Sequence, residues 1–361
     1  MFYPKYTITN SILESITFSE VAKEIISSFE IVPGWEAKLQ SEAKTKFVYH
    51  TSHLEGNPLT QDQVTELLEG REVIAKDSDT QDIKNCLNCL KFIDIIRKQV
   101  GQGRSYLFTL ETILEMHRLA TYRILSPEKA GVFRESQIVV KNSTTGEVTY
   151  TPPPSAEVSY LMEDLINWIN SKPAKSMHPI IKAAIVHYEI GRIHPFVDAN
   201  GRVARLISLL LLYLDGFELK RLYSYDKYFD DDPMHYYSML QEISNQKVLD
   251  NHQRDLTSWI EYCALAMSRE LTRIKEVVRR VSTEGKVKDK LGDEVELNER
   301  QMMLIEWLHK NKEMANRDFR KIFPDLSDDT VLREMKLLKT KGIIKKVGGT
   351  KKARYVLSQK I

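Results

Sequence analysis

His194 to Arg205 reads HPFVDANGRVAR, and the reading of the whole chain depends on it. Twelve residues hold an imidazole, a carboxylate, an Asn-Gly turn pair and two guanidinium groups. Upstream, Pro179 to Ile193 carries Ile181, Ala184, Ile185 and Tyr188 at helical spacing, and downstream Leu206 to Leu214 is almost wholly apolar. The pattern predicts two buried helices joined by a polar loop. Gly201 can take the backbone conformation that turns such a loop into a helix. A helix N-terminus attracts anions, and Arg202 and Arg205 in its first turns add charge-assisted contacts suited to phosphate. Asp198 is a short, hard oxygen ligand fit for magnesium. His194 has the pKa range to take a proton from a hydroxyl near neutral pH. A plain helix junction, with a capping Asn and surface arginines, would satisfy the same spacing.

At 361 residues the chain can hold two or three domains, each with its own core. With 42% hydrophobic and 28% charged residues it has an ordinary globular composition, which argues against wholesale disorder. Of three cysteines, Cys86 and Cys89 form a Cys-x-x-Cys pair, but they sit in an apolar helical pattern with Ile83, Leu87, Leu90 and Ile93, and no second ligand pair follows. A redox or zinc role is therefore rejected, and sparse cysteines suggest a reducing compartment. MFYPKYTITN lacks the basic and apolar segments of a secretory signal, and no apolar run approaches the length of a membrane helix. The expected location is cytoplasmic, with no membrane partner.

In chain order, residues 1 to about 125 read as helical. Ser19 is expected to cap a helix through VAKEIISSFEIV, and Trp35 to Tyr49 continues until Gly56, Asn57 and Pro58. Thr60 reads as another cap, and helices over Asp82–Gln99 and Thr109–Tyr122 follow. Two β-branched runs, Ile138–Val140 and Val148–Thr151, flank Asn142, Ser143 and Gly146, which is a hairpin signal. Its exposed edge could pair with an extended peptide. Helices are expected again over Ala156–Asn170, Pro179–Ile193, Gly201–Leu214, Met234–Ile243 and Leu256–Val281.

HPFVDANGRVAR resembles the signature loop of the Fic family, His-Pro-Phe-x-(Asp/Glu)-(Gly/Ala)-Asn-Gly-Arg-x-x-Arg. VFRESQIVV, the Pro152–Pro154 run and HPIIKAAIVHYEIGRIHPF resemble the family pattern too, so the likeness covers about residues 45 to 260. It implies a helical fold with a β-hairpin flap, and transfer of AMP from ATP to a protein hydroxyl. By the same resemblance His194 is the general base and Asp198 the magnesium ligand. Asn200 and the Gly201 backbone form an anion hole, Arg202 and Arg205 hold the phosphates, and Phe196 anchors the loop in the core. Ala199 stands where Gly is commoner; it suits the loop if its backbone avoids positive φ or if the family's tolerance of small residues extends to it. Asp232 stands where the family often has an Asn near base and ribose, so it is the expected nucleotide contact there. TSHLEGN, Thr51 to Asn57, resembles the family's inhibitory segment, (Ser/Thr)-x-x-x-Glu-(Gly/Asn). Glu55 at a helix end could pair with Arg205 and deny it to a phosphate.

The C-terminal residues stand apart. Thr283 to Glu296 has no sustained apolar stripe, so 282–296 reads as a linker. Residues 297–361 hold 16 Lys or Arg against 8 Asp or Glu, while the rest of the chain holds 36 against 42. Three helices followed by a hairpin around Gly348-Gly349 resemble a winged helix, with Ser327 as cap of the third helix. That resemblance would turn Thr330, Arg333 and Lys336 toward a DNA groove and Lys351, Lys352 and Arg354 toward phosphates. Winged helices also dock proteins or dimerise, and lysine-rich surfaces are common.

The expected fold class is therefore mainly α. A helical region over 1–100 carries the inhibitory segment; a Fic-type core with its hairpin flap occupies 101–281; a winged helix-turn-helix domain occupies 297–361. The expected function is a protein adenylyltransferase that uses ATP and Mg2+, acts on a protein presented at the 137–151 hairpin or on itself, and is held down by Glu55. The alternative is a DNA-binding transcriptional regulator whose core senses a nucleotide. DNA through 297–361 and a homo-oligomer are the further candidate partners.

Overall fold

The structure, a computed structural model, describes residues 2–358 except 30, 32, 102–105, 142–145, 249–253, 292–296, 325 and 349–353. Two compact units form, one of Met1–Ser27 with Leu39–Thr272 and one of Ser28–Lys38 with Arg273–Ile361. The helices that begin the chain are α1 (Asn10–Ser28), α2 (Pro33–His53), α3 (Gln61–Leu68), α4 (Asp77–Gly101) and α5 (Leu110–Ala120). After the strands β1 (Val140–Lys141) and β2 (Val148–Tyr150) come α6 (Val158–Asn170), α7 (Lys172–Lys175), α8 (Pro179–Ile193) and α9 (Asn200–Leu214). Then follow α10 (Asp226–Asp231), α11 (Pro233–Ser244) and α12 (Thr257–Leu291).

The centre of the first unit is the pair α8 and α9, with α4 and α5 packed on α9 and α6 on α8. Ile185, Val186 and Ile190 of α8, and Val203, Ile207 and Leu210 of α9, are completely buried. Each such side chain stabilises the fold by about 2 kcal/mol relative to exposure. The continuous apolar runs in the sequence thus become helices buried on nearly all sides, and the polar loop between them is held rigidly at both ends.

Local expectations fare unevenly. Thr60 caps α3 in a capping box with Gln63. Ser19 does not cap a helix: α1 starts at Asn10 with Thr9 Oγ1 accepting from Ile12 N–H, and Ser19 Oγ donates to the Ser15 carbonyl within the helix. Nothing between Thr9 and Ser19 breaks a helix, so the earlier cap wins and the serine bonds back four residues. The hairpin is shorter than its β-branched runs, pairing Val140 with Tyr150, and Asn142 and Ser143 lie outside the described residues. α12 runs on to Leu291, through the first part of the expected linker. The missing apolar stripe over Thr283–Leu291 removes a packing face, not the helical propensity of its Lys, Glu and Leu residues. Cys86, Cys89 and Cys263 are buried free thiols. Among the described residues no helix is long and apolar enough to cross a membrane.

The second unit contains α13 (Glu299–Asn311), β3 (Glu313–Ala315), α14 (Phe319–Ile322), α15 (Asp328–Thr340), β4 (Ile344–Val347) and β5 (Arg354–Leu357). The strands form an antiparallel sheet in the order β3-β5-β4. Leu304, Ile305, Leu308, Met314, Phe319, Met335 and Leu338 build its core. Ser327 Oγ caps α15 by accepting from Thr330 N–H at 3.3 Å. Arg333 and Lys336 are exposed on α15, and Thr330 is half-buried. Gly349, Lys351 and Lys352 lie outside the described residues.

Candidate active site

His194 ends α8 in a left-handed conformation, φ 51° and ψ 59°. Its Nδ1 lies 3.1 Å from the Gly191 carbonyl, which can only accept, so Nδ1 carries the proton and Nε2 is left as the basic nitrogen. Burial lowers the imidazole pKa, with the Gly191 bond and the Glu55 charge opposing it.

The loop that follows is clamped from within and from outside. Asn200 accepts from Phe196 N–H and donates to the Phe196 carbonyl, both at 2.9 Å. The side chain assigned to an anion hole is thus occupied in closing the loop. Phe196 is fully buried and stacks on His117 of α5 with ring centroids 3.8 Å apart. His117 Nδ1 accepts from Gly131 N–H at 2.9 Å, and its Nε2 donates to the Asp198 carbonyl at 3.3 Å. Arg134 ties the start of the loop to the proline run that follows the hairpin: Nε donates to the His194 carbonyl at 2.8 Å and Nη2 to the Pro153 carbonyl at 2.6 Å.

The residue in the left-handed region is Ala199, at φ 61° and ψ 18°, and Gly201 is not among the residues with positive φ. The left-handed backbone costs an alanine about 1 to 2 kcal/mol. Its buried methyl returns roughly 0.8 kcal/mol, so alanine and glycine are nearly equivalent here. Gly201 is needed for close approach instead, because a β-carbon there would run into the Glu55 carboxylate. Asp198 Oδ1 accepts from Ala199 N–H at 2.6 Å.

Arg205 is completely buried, and five groups meet it, one of them the Tyr236 hydroxyl, which accepts from Nη1 at 3.5 Å. Its Nε donates to Thr51 Oγ1 at 2.7 Å, its Nη2 donates to the Thr51 carbonyl at 2.9 Å and to Glu55 Oε1 at 2.7 Å, and Asp226 lies 3.8 Å away. Burial alone would raise the Glu55 carboxyl, but Arg205 and then Arg202 outweigh it and hold the group below the usual carboxylate range. Glu55 follows the end of α2 and is fixed there by Tyr237, whose hydroxyl donates to the Leu54 carbonyl at 2.7 Å. The carboxylate therefore occupies the N-terminus of α9, where an anion would be drawn.

Residues 107–212 match the model of the Fic/DOC family. A crystal structure of a Fic family protein from Desulfovibrio desulfuricans G20 is similar over 99% of this chain and 99% of its own, with a TM-score of 0.62 and 21% identity. The fold is that of Fic proteins. Fic-1 (aa134–508) from C. elegans is similar over 77% of this chain and 73% of its own, with a TM-score of 0.59 and 22% identity. The protein adenylyltransferase Fic of Drosophila ananassae is 32% identical over 182 residues, which are 50% of this chain and 34% of that protein. The chain spans about a third of that relative's length.

Within this Fic fold the expected residues are not all brought together. His194, Asp198, Ala199, Asn200, Gly201, Arg202 and Arg205 share the loop and the first turns of α9, and Glu55 reaches them from 150 residues away. Asp232 does not join them through its carboxylate, which caps α11 by accepting from His235 N–H at 3.1 Å. An Asp directly before Pro233 is a helix-start signal, and that local demand takes the side chain. Thr51 and Arg134 stood inside quoted segments, TSHLEGN and VFRESQIVV, without a role assigned to them, and His117 and Asp226 were not legible as site residues. His117 stood in a helical segment with no spacing relation to the loop.

The clamp has a pH signature. Burial depresses His117 to about 4 and His187, which bonds Tyr236, to about 3. Both are neutral when folded and protonate near 6.5 when unfolded, so their contribution is complete above that pH and is lost as pH falls toward the folded values. Melting temperature is expected to fall progressively from pH 6.5 to 5, before most carboxylates titrate, and to fall less in His117→Phe; a flat wild-type profile over that window would contradict the neutral clamp.

Proposed function

We propose that the protein transfers AMP from ATP to a hydroxyl side chain of a protein, or of itself, and that Glu55 restrains it. The observation that carries this is the Glu55 carboxylate seated on the N-terminus of α9 and bonded to Arg205, beside a histidine whose Nε2 is available as a base. A carboxylate and a phosphate are alternative occupants of one cationic site. In transfer, the hydroxyl oxygen attacks the α-phosphorus, His194 Nε2 takes its proton, and the bond to pyrophosphate breaks. Pyrophosphate leaves with the bonding electrons, and the N–H groups of α9 with Arg202 and Arg205 bear its charge.

A divalent metal fits the donor set only in one way. Among the described residues no group of three His, Cys, Asp or Glu side chains could hold one. Magnesium accepts one carboxylate together with phosphates and water. Asp198 has one carboxylate oxygen engaged by Ala199 N–H and would offer the other. The ion would neutralise phosphate charge as the pyrophosphate departs.

The target is presented, on this reading, at the 137–151 hairpin, where Val139 and Val148 are exposed beside a strand edge suited to pairing with an extended peptide. The C-terminal unit is read as a winged helix that targets or regulates the enzyme. The alternative, a DNA-binding regulator, has less support. α15 opens with Asp328 and Asp329, and Arg354 is paired with Glu313, so both surfaces expected to meet phosphates carry carboxylates. A nucleotide sensor would also have no use for the base at His194.

With labelled ATP and magnesium, Glu55→Gly is expected to attach roughly ten- to hundredfold more label than wild type, the worth of one or two charge-assisted hydrogen bonds. His194→Ala serves as the blank; equal labelling by Glu55→Gly and wild type would refute the restraint. The rate of Glu55→Gly should stay level from pH 8 to 6.5 and fall only below, because a general base works deprotonated and His194 titrates below its ordinary 6.5. Loss of Glu55 removes a charge that favours the imidazolium, which moves the acid limb lower still. An acid limb centred above pH 7 would exclude His194 as the base.

A further inference from the structure

Arg202 has a partner that the loop motif does not contain. Its Nη1 donates to Oδ1 of Asp82 on α4, and both side chains are nearly buried, 9% and 10% exposed. No other hydrogen bond involves the Arg202 side chain among the described residues, and its buried Nε–H has no acceptor. A buried donor without an acceptor, in the first turn of a helix that attracts anions, is a place for a ligand oxygen.

Asp82 is itself held. Its Oδ2 accepts from Nδ2 of Asn57 at 3.0 Å. The same Nδ2 donates to the Asp79 carbonyl at 3.0 Å, and Asn57 Oδ1 accepts from Leu59 N–H at 3.1 Å. Both amide hydrogens face acceptors and the amide oxygen faces a donor, so the side chain has one orientation. Asn57 stands two residues beyond Glu55. The segment that meets Arg205 directly therefore meets Arg202 through Asp82.

We propose that Asp82, oriented by Asn57, is a positioning residue for nucleotide binding: it takes Arg202 Nη1 and leaves Nε–H and the remaining guanidinium donors for a triphosphate oxygen. The inference rests on the transferase reading. A long guanidinium side chain without a fixed counter-charge has no reason to stay buried, so its ordering would fall on the nucleotide as a binding cost. Because Asp82 touches no reacting atom, its loss weakens ATP binding more than it slows transfer from bound ATP.

The test is calorimetric titration of ATP with magnesium into Glu55→Gly and into Glu55→Gly with Asp82→Asn, with label transfer at saturating ATP measured alongside. The double variant is expected to bind about tenfold more weakly or worse, as when orienting groups behind a ligating side chain are lost, with the saturated rate within about twofold. Adding Asp82→Asn to Glu55→Gly with Arg202→Ala is expected to change the Kd no further, since Asp82 acts only through Arg202. A Kd unchanged or tightened by Asp82→Asn, or an equal further weakening on top of Arg202→Ala, overturns the proposal; tightening would make Asp82 a competitor of phosphate. If Asp82→Asn fails to fold, Asn57→Ala in the Glu55→Gly background keeps the charge and loses the orientation, and the same weakening is required of it. Should Glu55→Gly bind no ATP at all, the nucleotide reading itself falls, an outcome distinct from binding that Asp82→Asn leaves unchanged.

Discussion

The burial of Arg205 is the constraint on which the site depends. A guanidinium with no solvent access must find counter-charge and acceptors nearby, or the cost of removing it from water is several kcal/mol. Asp226 supplies charge at 3.8 Å, too far for a hydrogen bond, and burial pushes its carboxyl up to about 6, so it is the first of these charges to be lost as pH falls. Thr51 supplies acceptors without charge. The remaining demand falls on Glu55, whose pKa is held low by the same arginine. The resting chain is thus built around an arginine that always needs an anion, and the nearest one is its own.

Around that arginine the loop is fixed by groups that carry no net charge. His117 is neutral and bonds through both ring nitrogens, Phe196 lies flat against it, and the Asn200 amide closes the turn. A charged clamp would compete with the arginines for any anion at the helix N-terminus; a neutral one holds the loop without entering the electrostatics of the site. Arg134 is the exception, and it spends its donors on the His194 and Pro153 carbonyls, away from the helix N-terminus.

Much of this was legible in the residues, and the failures have physical causes. The helix α8 was readable from apolar residues at helical spacing, and α9 because a run apolar on nearly every face has few other fates. The Glu55–Arg205 pair was readable only through resemblance, since nothing local links positions 150 residues apart. Gly201 was misread as a turn glycine; the turn falls on Ala199, and the glycine is there because a carboxylate from α2's end comes so close. Asp232 caps α11, a role the sequence did not single out, because a cap before proline and a ligand contact ask for the same side chain. Asn57 looked like part of a helix stop, and Asp82 like an unremarkable acidic residue in the first turns of a helix. Their partnership with Arg202 exists only once α4 and α9 pack.

The absent side chain at Gly201 sets an asymmetry in how the site can change by single substitutions. A β-carbon there would enter the space that the Glu55 carboxylate holds over the helix N-terminus and that, on the transferase reading, a phosphate would take. On that reading substitutions at 201 act on both occupants at once. Position 55 can, because its side chain arrives from another helix and belongs to only one of the two occupants. On the reading of Glu55 as a restraint, selection for an unrestrained form would find position 55 and pass over the loop itself.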